Sequence, residues 1–468
     1  MHCRASYSVA SAARRSVAAA VSSPTALLQR AGVNVALHGA PHGACMRGAS
    51  VRAHASQPQV SARIAATDAP IIVTTKRLMA SCPGAVSLAQ GIVYWGPPPC
   101  ALATAADLLR EGGAGLSGYG PAEGLPALRE ALRAKIATQN GLVSHEVMVT
   151  AGANQAVVNA VLALVDEGDS VLLFKPYYFN HLMAVQMCGG ARSVEFGDCD
   201  ASTLHPDLAW LEARLSTPPT PSTPRVRMVI ITNPCNPSGV LMSKEEVQQA
   251  AKLCADNGAW LLLDNTYEDF VYGGLEHFAD PSPNVVHVFS MSKAYGMMGW
   301  RVGYLAYSSA PGEGGAPSLA DQLLKVQDTT VICPTQLSQH VALAALGAEG
   351  AAYVKEQIEG LEGNRAAVLD ALSPLASKAG GGMVAGGEGA IYFWARLPAG
   401  WEDDTRVFEW LVRRHKVCVI PGSSCGAPGH IRAAFANLTL TACVEAAGRL
   451  KAGLSELVEL GPAALELQ

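Results

Sequence analysis

Seven short apolar segments alternate with helical segments between residues 147 and 306, and this alternation most constrains the fold. Runs such as VIIT and LLLD have the composition of strands buried on both faces of a sheet. Helical segments at 154–165 and 244–257 lie between them. The pattern predicts an α/β fold whose largely parallel sheet is covered by helices on both faces. The predicted strands are residues 147–150, 170–174, 193–196, 228–232, 260–264, 285–290 and 302–306.

The remaining segments indicate a second, smaller α+β domain. A long helical region follows residue 341, and short strands are predicted at 391–394 and 417–420 before a final helix. The segment before residue 115 is expected to complete this domain. We therefore predict a large domain at 115–335 and a small domain formed by 68–114 and 336–468. The Pro-rich run at 217–224 and the Gly-rich run at 311–317 are expected to be surface loops.

The first 67 residues differ in charge from the rest of the 468-residue chain. They contain seven Arg, no Lys and no acidic residue, which leaves 27 basic and 39 acidic residues and a net charge of −12 elsewhere. That acidic body argues against nucleic acid or an anionic membrane as a partner, and no segment has the pattern of a membrane-spanning helix. The Ala-, Ser- and Arg-rich leader is typical of an organelle transit peptide. Val51-Arg-Ala favours the chloroplast over the mitochondrion, whereas a disordered tail that stays attached would leave the protein in the cytoplasm.

The twelve cysteines form no CxxC pair and no Cys/His cluster at metal-ligand spacing. Scattered thiols of this kind are usually small buried residues in a reducing compartment. The sequence therefore predicts neither a disulfide framework nor a metal site.

Five predicted strands end in unusual polar or aromatic sequences: TAGANQA, KPYYFNH, TNPCNPSG, DNTYEDF and SMSKAYG. Ordinary turns and helix caps would account for one or two of them. Ligands of open parallel sheets bind beyond the carboxyl ends of the strands, where helix N-termini also point. Five such sequences at one edge therefore predict a binding site there.

Lys293 is the centre of the predicted chemistry. A lysine at the ligand-binding edge of a sheet can form a Schiff base with a carbonyl cofactor, although most lysines are solvated surface residues. Asp264, at the end of WLLLD, needs a cation or proton donor, which the pyridine nitrogen of pyridoxal phosphate would supply. Tyr267 and Asn236 could then hydrogen-bond the ring oxygen of that cofactor.

A phosphate-binding site is predicted where Gly152, Ala153 and Asn154 open a helix directly after a strand, because free backbone N–H groups and the helix dipole favour an anion there. Ser290 and Arg301 could complete it. Tyr178 is suited to stack on an aromatic ring. The run from Gly113 to Gly118 matches GxGxxG, but it neither follows a strand nor opens a helix, so we interpret it as a loop.

With these motifs the chain resembles the class I/II aminotransferases, the fold type I enzymes that use pyridoxal 5′-phosphate. NPCNPSG, DNTYE and SMSKAYGMMGWRVGY occur in family order from about residue 70 onward. The resemblance implies a large domain with a mostly parallel seven-stranded sheet plus the smaller α+β domain. SLAQGIVYWGPP, YGPAEGLPALREAL and GGEGAIYFWA are similar to a plant-type subgroup that transaminates aromatic amino acids with methionine as a favoured donor.

The resemblance also implies a role for each matching residue. Lys293 would bind the cofactor aldehyde and move the substrate proton, assisted by Asp264 and Tyr267 as catalytic residues. Residues implied around the cofactor are Ala153, Asn154, Tyr178, Asn236, Asp264, Tyr267, Ser290, Ser292, Lys293 and Arg301, with Tyr119 reaching the phosphate of the neighbouring subunit of a homodimer. Residues implied around the substrate are Gly91, Asn236 and Arg432, of which Arg432 would bind the α-carboxylate.

The side-chain pocket is predicted less directly. Val331 and Ile332, in the segment TTVICPTQ that the neighbouring subunit would supply, occupy positions where relatives place pocket residues, and no Arg there could bind a distal carboxylate. Tyr94 and Trp95 suit an apolar or aromatic substrate, but packing between domains explains them equally well. The sequence thus predicts ping-pong transfer between an aromatic or apolar amino acid, or methionine, and a 2-oxo acid. A carbon–sulfur lyase or synthase with the same cofactor is the alternative, and a non-catalytic regulatory protein that binds the cofactor is a more distant one.

Overall fold

The computed structural model describes residues 59–188, 193–310, 317–377 and 382–466. Most of the predicted leader and all but Pro317 of the predicted loop at 311–317 therefore lie outside the described residues. The strands are β1 (Val86–Ser87), β2 (His145–Thr150), β3 (Ser170–Lys175), β4 (Ser193–Asp198), β5 (Val226–Thr232), β6 (Trp260–Asp264), β7 (Val285–Ser290), β8 (Gly303–Ser308), β9 (Val384–Gly386), β10 (Tyr392–Arg396), β11 (Val417–Cys418), β12 (Ile420–Pro421) and β13 (His430–Ala434).

Helices separate most of these strands. They are α1 (Ala62–Ala65), α2 (Ile71–Ala80), α3 (Pro99–Arg110), α4 (Pro126–Gln139), α5 (Ala153–Leu164), α6 (Phe179–Cys188), α7 (Leu208–Leu215), α8 (Lys244–Asp256), α9 (Leu319–Val331), α10 (Gln336–Ala345), α11 (Ala348–Glu359), α12 (Glu362–Ala371), α13 (Ser373–Ala376), α14 (Asp404–Arg414) and α15 (Leu440–Leu460). None of those in the described part of the chain is long and apolar enough to cross a membrane.

The largest sheet has seven strands in the order β2-β8-β7-β6-β5-β3-β4. Strand β8 is antiparallel to both its neighbours, and the other pairings are parallel. The seven predicted strands all belong to this sheet, which confirms the predicted α/β fold. Strands β2 to β7 all run in one direction, so their carboxyl ends meet at one edge of the sheet.

Both faces of the sheet are buried, as the apolar strand sequences predicted. Successive residues of β3 alternate between two clusters, because side chains of a strand point to opposite faces. Val171 and Leu173 pack with residues of α5, whereas Leu172 and Phe174 pack with residues of α7 and α8.

Two further sheets lie outside the main one. Strands β12-β13-β10-β9 form a four-stranded antiparallel sheet, and β1 pairs in parallel with β11. The single strand predicted at 417–420 is wrong, because the chain leaves one sheet after Cys418 and joins the other at Ile420. The β1–β11 pairing joins the segment before residue 115 to the C-terminal part of the chain, but the proposed domain boundaries stay a prediction.

Candidate active site

A cavity of about 200 Å³ lies at the carboxyl edge of the seven-stranded sheet. Strands β5, β6 and β7 deliver side chains to it directly or through the loops that follow them, and α5 opens beside it. The sequence-predicted residues that line it are Gly91, Ala153, Asn154, Tyr178, Asn236, Asp264, Tyr267, Ser290, Ser292, Lys293, Arg301 and Arg432.

Lys293 contributes a primary amine to the cavity. Its Nζ donates a hydrogen bond to the backbone oxygen of Gly91. Burial lowers the pKa of Lys293 to about 8, and the nearby cations Arg301 and Arg432 act in the same direction. A lysine with that pKa has a sizeable neutral fraction near pH 7.5, so it can act as a nucleophile or a base.

Asp264 is a buried carboxylate with an exposed fraction of only 4%. Its Oδ1 accepts hydrogen bonds from the backbone N–H of Thr266 at 3.0 Å and from the Thr266 hydroxyl at 2.6 Å. Its Oδ2 lies 2.9 Å from Nε2 of His181, the third residue of α6. These contacts orient the carboxylate. They also replace the hydrogen bonds to water that it loses on burial, which would otherwise be costly.

One end of the cavity has the chemistry of an anion site. Helix α5 begins at Ala153, and its N-cap Gly152 has no side chain to bond the free N–H groups of the first turn. Gly152 has φ +84°, and a Cβ there would lie 2.1 Å from Nη2 of Arg301. Ser290 and Ser292 line the same cavity. The missing side chain thus lets the guanidinium of Arg301 approach the helix N-terminus.

Arg432 lies on β13 of the four-stranded sheet and is buried, with an exposed fraction of 1%. Its Nη1 donates to Oδ1 of Asn236 at 2.7 Å, and its Nη2 donates to the backbone oxygen of Ala89 at 2.7 Å. The guanidinium carbon lies 4.3 Å from the ring centroid of Tyr392. A guanidinium held in this way can bind a carboxylate through paired hydrogen bonds.

Two tyrosines supply aromatic surface and a phenol. The Tyr178 ring lies 5.1 Å from that of His181, and its hydroxyl accepts a hydrogen bond from Asn180 at 2.9 Å. The hydroxyls of Tyr267 and Tyr392 lie 2.5 Å apart. Burial raises the pKa of Tyr178 and of Tyr267 well above the usual range, so both are neutral phenols.

Five predicted residues do not line this cavity. Trp95 is buried in the core, donates from Nε1 to the backbone oxygen of Ala294 and stacks on Phe270, which favours the packing interpretation. Tyr94 and Ile332 are 40% and 43% exposed, and Tyr119 is 83% exposed. Val331 is the last residue of α9 and is partly buried. The substrate roles of these residues and the partner role of Tyr119 stay predictions.

Sequence reasoning missed several lining residues: Ile72, Gln90, Ile92, Val157, Phe179, His181, Thr266 and Tyr392. His181 had a signal, since it is a lone imidazole among the apolar residues of α6. Tyr392 had none, because an aromatic residue within an apolar strand is typical of a core.

Comparison with known proteins places this geometry in a family. The sequence profile "Aminotransferase class I and II" matches residues 83–450, and the chain belongs to that family. An aromatic aminotransferase of Arabidopsis thaliana, ISS1, is 45% identical over 86% of this chain and 98% of its own length. An aspartate/prephenate aminotransferase of Thermus thermophilus is 29% identical over 69% of this chain and 80% of its own length.

Solved structures agree with the sequence matches. Aspartate aminotransferase from Thermus thermophilus with maleate has a TM-score of 0.73 at 25% identity and covers 85% of this chain and 100% of its own. Aromatic aminotransferase from Pyrococcus horikoshii has a TM-score of 0.69 at 25% identity, with 82% of this chain and 99% of its own covered. The protein is a pyridoxal-phosphate-dependent transaminase, which confirms the predicted family, enzyme class and cofactor.

The residues of the cavity fit pyridoxal phosphate. An anion site, a buried amine with lowered pKa and a buried carboxylate lie around one space, together with a tyrosine ring that can stack. These match the phosphate, aldehyde, protonated nitrogen and aromatic face that the cofactor presents.

Proposed function

We propose that this transaminase moves an amino group between an aromatic amino acid or methionine and a 2-oxo acid in a ping-pong cycle. The proposal rests on which positively charged side chains line the cavity. Among the described residues, the Lys and Arg side chains that line it are Lys293, Arg301 and Arg432. Each has another role in this scheme, so the lining from this chain leaves no cation for a second carboxylate of an acidic substrate, and the segment TTVICPTQ that the partner subunit would supply contains none.

The rest of the lining supports an apolar side chain. Ile72, Ile92 and Phe179 contribute aliphatic and aromatic surface to the same cavity. The Arabidopsis relative is named for aromatic substrates, whereas the less similar Thermus relative is named for aspartate and prephenate. Apolar lining combined with the absence of a further cation among the described lining residues favours the first substrate class for this chain.

In this proposal the cofactor is held at four places besides Lys293. Ala153, Asn154, Ser290, Ser292 and Arg301 bind its phosphate, and Tyr178 stacks on its ring. Asp264 pairs with the protonated ring nitrogen, while Asn236 and Tyr267 bond the ring oxygen. Bound there, the cofactor supplies an electron sink for the bond broken at the substrate Cα. His181 and Thr266 position Asp264 by occupying its two oxygens.

Arg432 binds the substrate α-carboxylate in this scheme, and Asn236 orients the guanidinium through Oδ1. Lys293 first holds the cofactor and is then released as a free amine. Its lowered pKa suits it to remove a proton from the substrate Cα and to return that proton to the carbon on the other side of the nitrogen, two bonds away. The backbone oxygen of Gly91 can hold the released ammonium group beside the reacting atoms.

We also propose a homodimer in which Tyr119 reaches the phosphate site of the partner subunit. Tyr119 is 83% exposed and does not line the cavity of its own chain. The loop that carries it contacts the segment after α9, since Gly120 N–H donates to Sγ of Cys333 at 3.4 Å. Tyr119 and the exposed Ile332 each adjoin a residue of this contact, as residues of one subunit interface would.

The leader is proposed to direct the chain to the chloroplast. The absence of acidic residues among its first 67 residues supports this. Residues 1–67 fused to a fluorescent protein should enter chloroplasts of plant cells. Fluorescence that stays in the cytoplasm would contradict the proposal.

A donor-by-acceptor matrix tests the reaction. The full-length protein with its cofactor is incubated with Phe, Tyr, Trp, Met or Asp and with phenylpyruvate or 2-oxoglutarate, and amino acids are quantified. We expect the aromatic donors and methionine to exceed aspartate by tenfold or more in kcat/KM, roughly the effect of one unpaired buried charge. Lys293→Ala should abolish transfer. Equal use of aspartate, or release of a thiol and ammonia from methionine, would overturn the proposal.

A further inference from the structure

Tyr392 has no part in the reaction scheme above, although it lines the cavity. It is the first residue of β10, is 1% exposed and lines the cavity. A Cβ at residue 91 would lie 2.0 Å from the Tyr392 hydroxyl oxygen. Gly91 therefore leaves the space that this hydroxyl occupies, directly beside the carbonyl oxygen that accepts from Lys293.

The hydroxyl of Tyr392 meets the hydroxyl of Tyr267. The two oxygens are 2.5 Å apart, and the rings are edge to face with centroids separated by 5.5 Å. Burial raises the pKa of both phenols, so each carries its single proton. In such a pair, one phenol donates and the other accepts. If Tyr267 gave its proton to Tyr392, it would have none left for a ligand in the cavity.

The ring of Tyr392 meets a second functional group. The guanidinium carbon of Arg432 lies 4.3 Å from the ring centroid. Tyr392 pairs with Ala434 and Trp394 pairs with Arg432, so Tyr392 and Arg432 are diagonal neighbours on adjacent antiparallel strands. A cation buried over an aromatic face is stabilised by the ring quadrupole.

We propose that Tyr392 is a positioning residue for two side chains, Tyr267 at the cofactor and Arg432 at the substrate. Its hydroxyl donates to Tyr267, so that Tyr267 keeps its own proton for the ring oxygen of the cofactor. Its ring holds the guanidinium of Arg432 in place for the α-carboxylate of the substrate. The inference rests on the proposed roles of Tyr267 and Arg432 and adds the residue that couples them.

Tyr392→Phe separates the two contributions, because it removes the hydroxyl and keeps the ring. Without the donated hydrogen bond, Tyr267 becomes a weaker donor and more negative charge stays on the cofactor's ring oxygen. Protonation of the bound cofactor then becomes easier. We expect the pH midpoint of its visible absorbance to rise by about 0.5 unit, in the same direction as in Tyr267→Phe but by less. The kcat should fall about 3- to 10-fold, with KM for the amino acid changed less than about threefold.

Tyr392→Leu removes the ring as well. Here KM for the amino acid should rise by a further factor of about 10, because Arg432 loses the face on which it rests. Tyr272→Phe is the matched control. The Tyr272 hydroxyl likewise makes a hydrogen bond, in this case to the backbone oxygen of Ala390 at 3.0 Å, and its ring likewise carries a guanidinium, that of Arg365 at 4.0 Å, but Tyr272 does not line the cavity. This control should keep the wild-type absorbance midpoint, kcat and KM.

Two results would overturn the inference. One is a Tyr392→Phe protein whose absorbance midpoint and kcat both equal those of the wild type. The other is a Tyr272→Phe protein that reproduces the changes, which would mean that any lost buried hydroxyl has the same effect. Failure of the proposed function is a separate observation, because it would appear in the wild-type protein as absent transfer to the aromatic or methionine pairs.

Discussion

At the scale of single residues, the proposed chemistry depends on two ionisable groups held in unusual surroundings. Lys293 loses hydration and faces Arg301 and Arg432, all of which disfavour its charged form. Asp264 loses hydration too, but its oxygens gain bonds from Thr266 and His181. The site thus combines a lysine that gives up its proton easily with a carboxylate whose orientation is fixed.

The lysine leads to a prediction about pH. Lowering its pKa from 10.5 to about 8 increases the neutral fraction at pH 7 by roughly 300-fold. The neutral amine is the form that attacks an aldehyde. The rate at which cofactor-free protein captures pyridoxal phosphate should therefore rise about tenfold per pH unit below 7.5 and level off above pH 8, as stopped-flow absorbance would show.

Arg432→Gln provides the control for that prediction. Removing a neighbouring positive charge makes protonation of Lys293 easier, so the midpoint of the capture rate should move to higher pH. A wild-type midpoint near 10.5 would mean that neither burial nor the two arginines acts on Lys293.

At the scale of elements, strand order brings the site together. All seven strand positions were predicted from short apolar or β-branched runs, and the signal is clearest for central strands such as β5 and β6, which must be apolar on both faces. The carboxyl ends of five of these strands were equally predictable as one binding edge. The division of 417–420 into β11 and β12 was not, since the apolar pattern does not reveal a change of sheet.

The N-terminus of α5 leads to a second prediction. In Gly152→Ala, a Cβ would collide with the guanidinium of Arg301 at a backbone φ of +84°. Affinity for pyridoxal phosphate should fall at least about tenfold, since both the helix N–H groups and the arginine would shift. Equilibrium titration of the cofactor-free protein measures this.

Gly168→Ala is the matched control for the helix. Gly168 has φ +97° and follows α5, and a Cβ there would meet no atom within 4 Å beyond its chain neighbours. The variant should lose about 1–2 kcal/mol of unfolding free energy through backbone strain while its cofactor affinity stays at the wild-type value. Equal affinity losses in both variants would assign the effect to strain alone.

At the scale of the whole molecule, the proposed homodimer requires Tyr119 to act across the interface. Tyr119→Ala and Lys293→Ala should each be deficient alone. After the two proteins are unfolded and refolded together, about half of the dimers are mixed, and each mixed dimer has one complete site. Activity should recover to about a quarter of the wild-type value.

Refolding each variant separately serves as the control for that mixing experiment and should restore nothing. If activity does not recover in the mixture although light scattering detects dimers, Tyr119 does not contribute to the active site of the partner subunit.

Local sequence was enough to predict the order of strands along the chain, the sheet edge proposed to bind ligands, and Lys293 and Asp264 as the candidate reacting pair. Local sequence carries that information, because the apolar pattern of a buried strand and the residues that begin a helix can be recognised within a few neighbouring positions. The three-dimensional arrangement was needed to learn which distant groups meet. His181 and Asp264 are 83 residues apart, Tyr267 and Tyr392 are 125 apart, and Asn236 and Arg432 are 196 apart. Such contacts arise from the arrangement of strands in space, which no local pattern of side chains specifies.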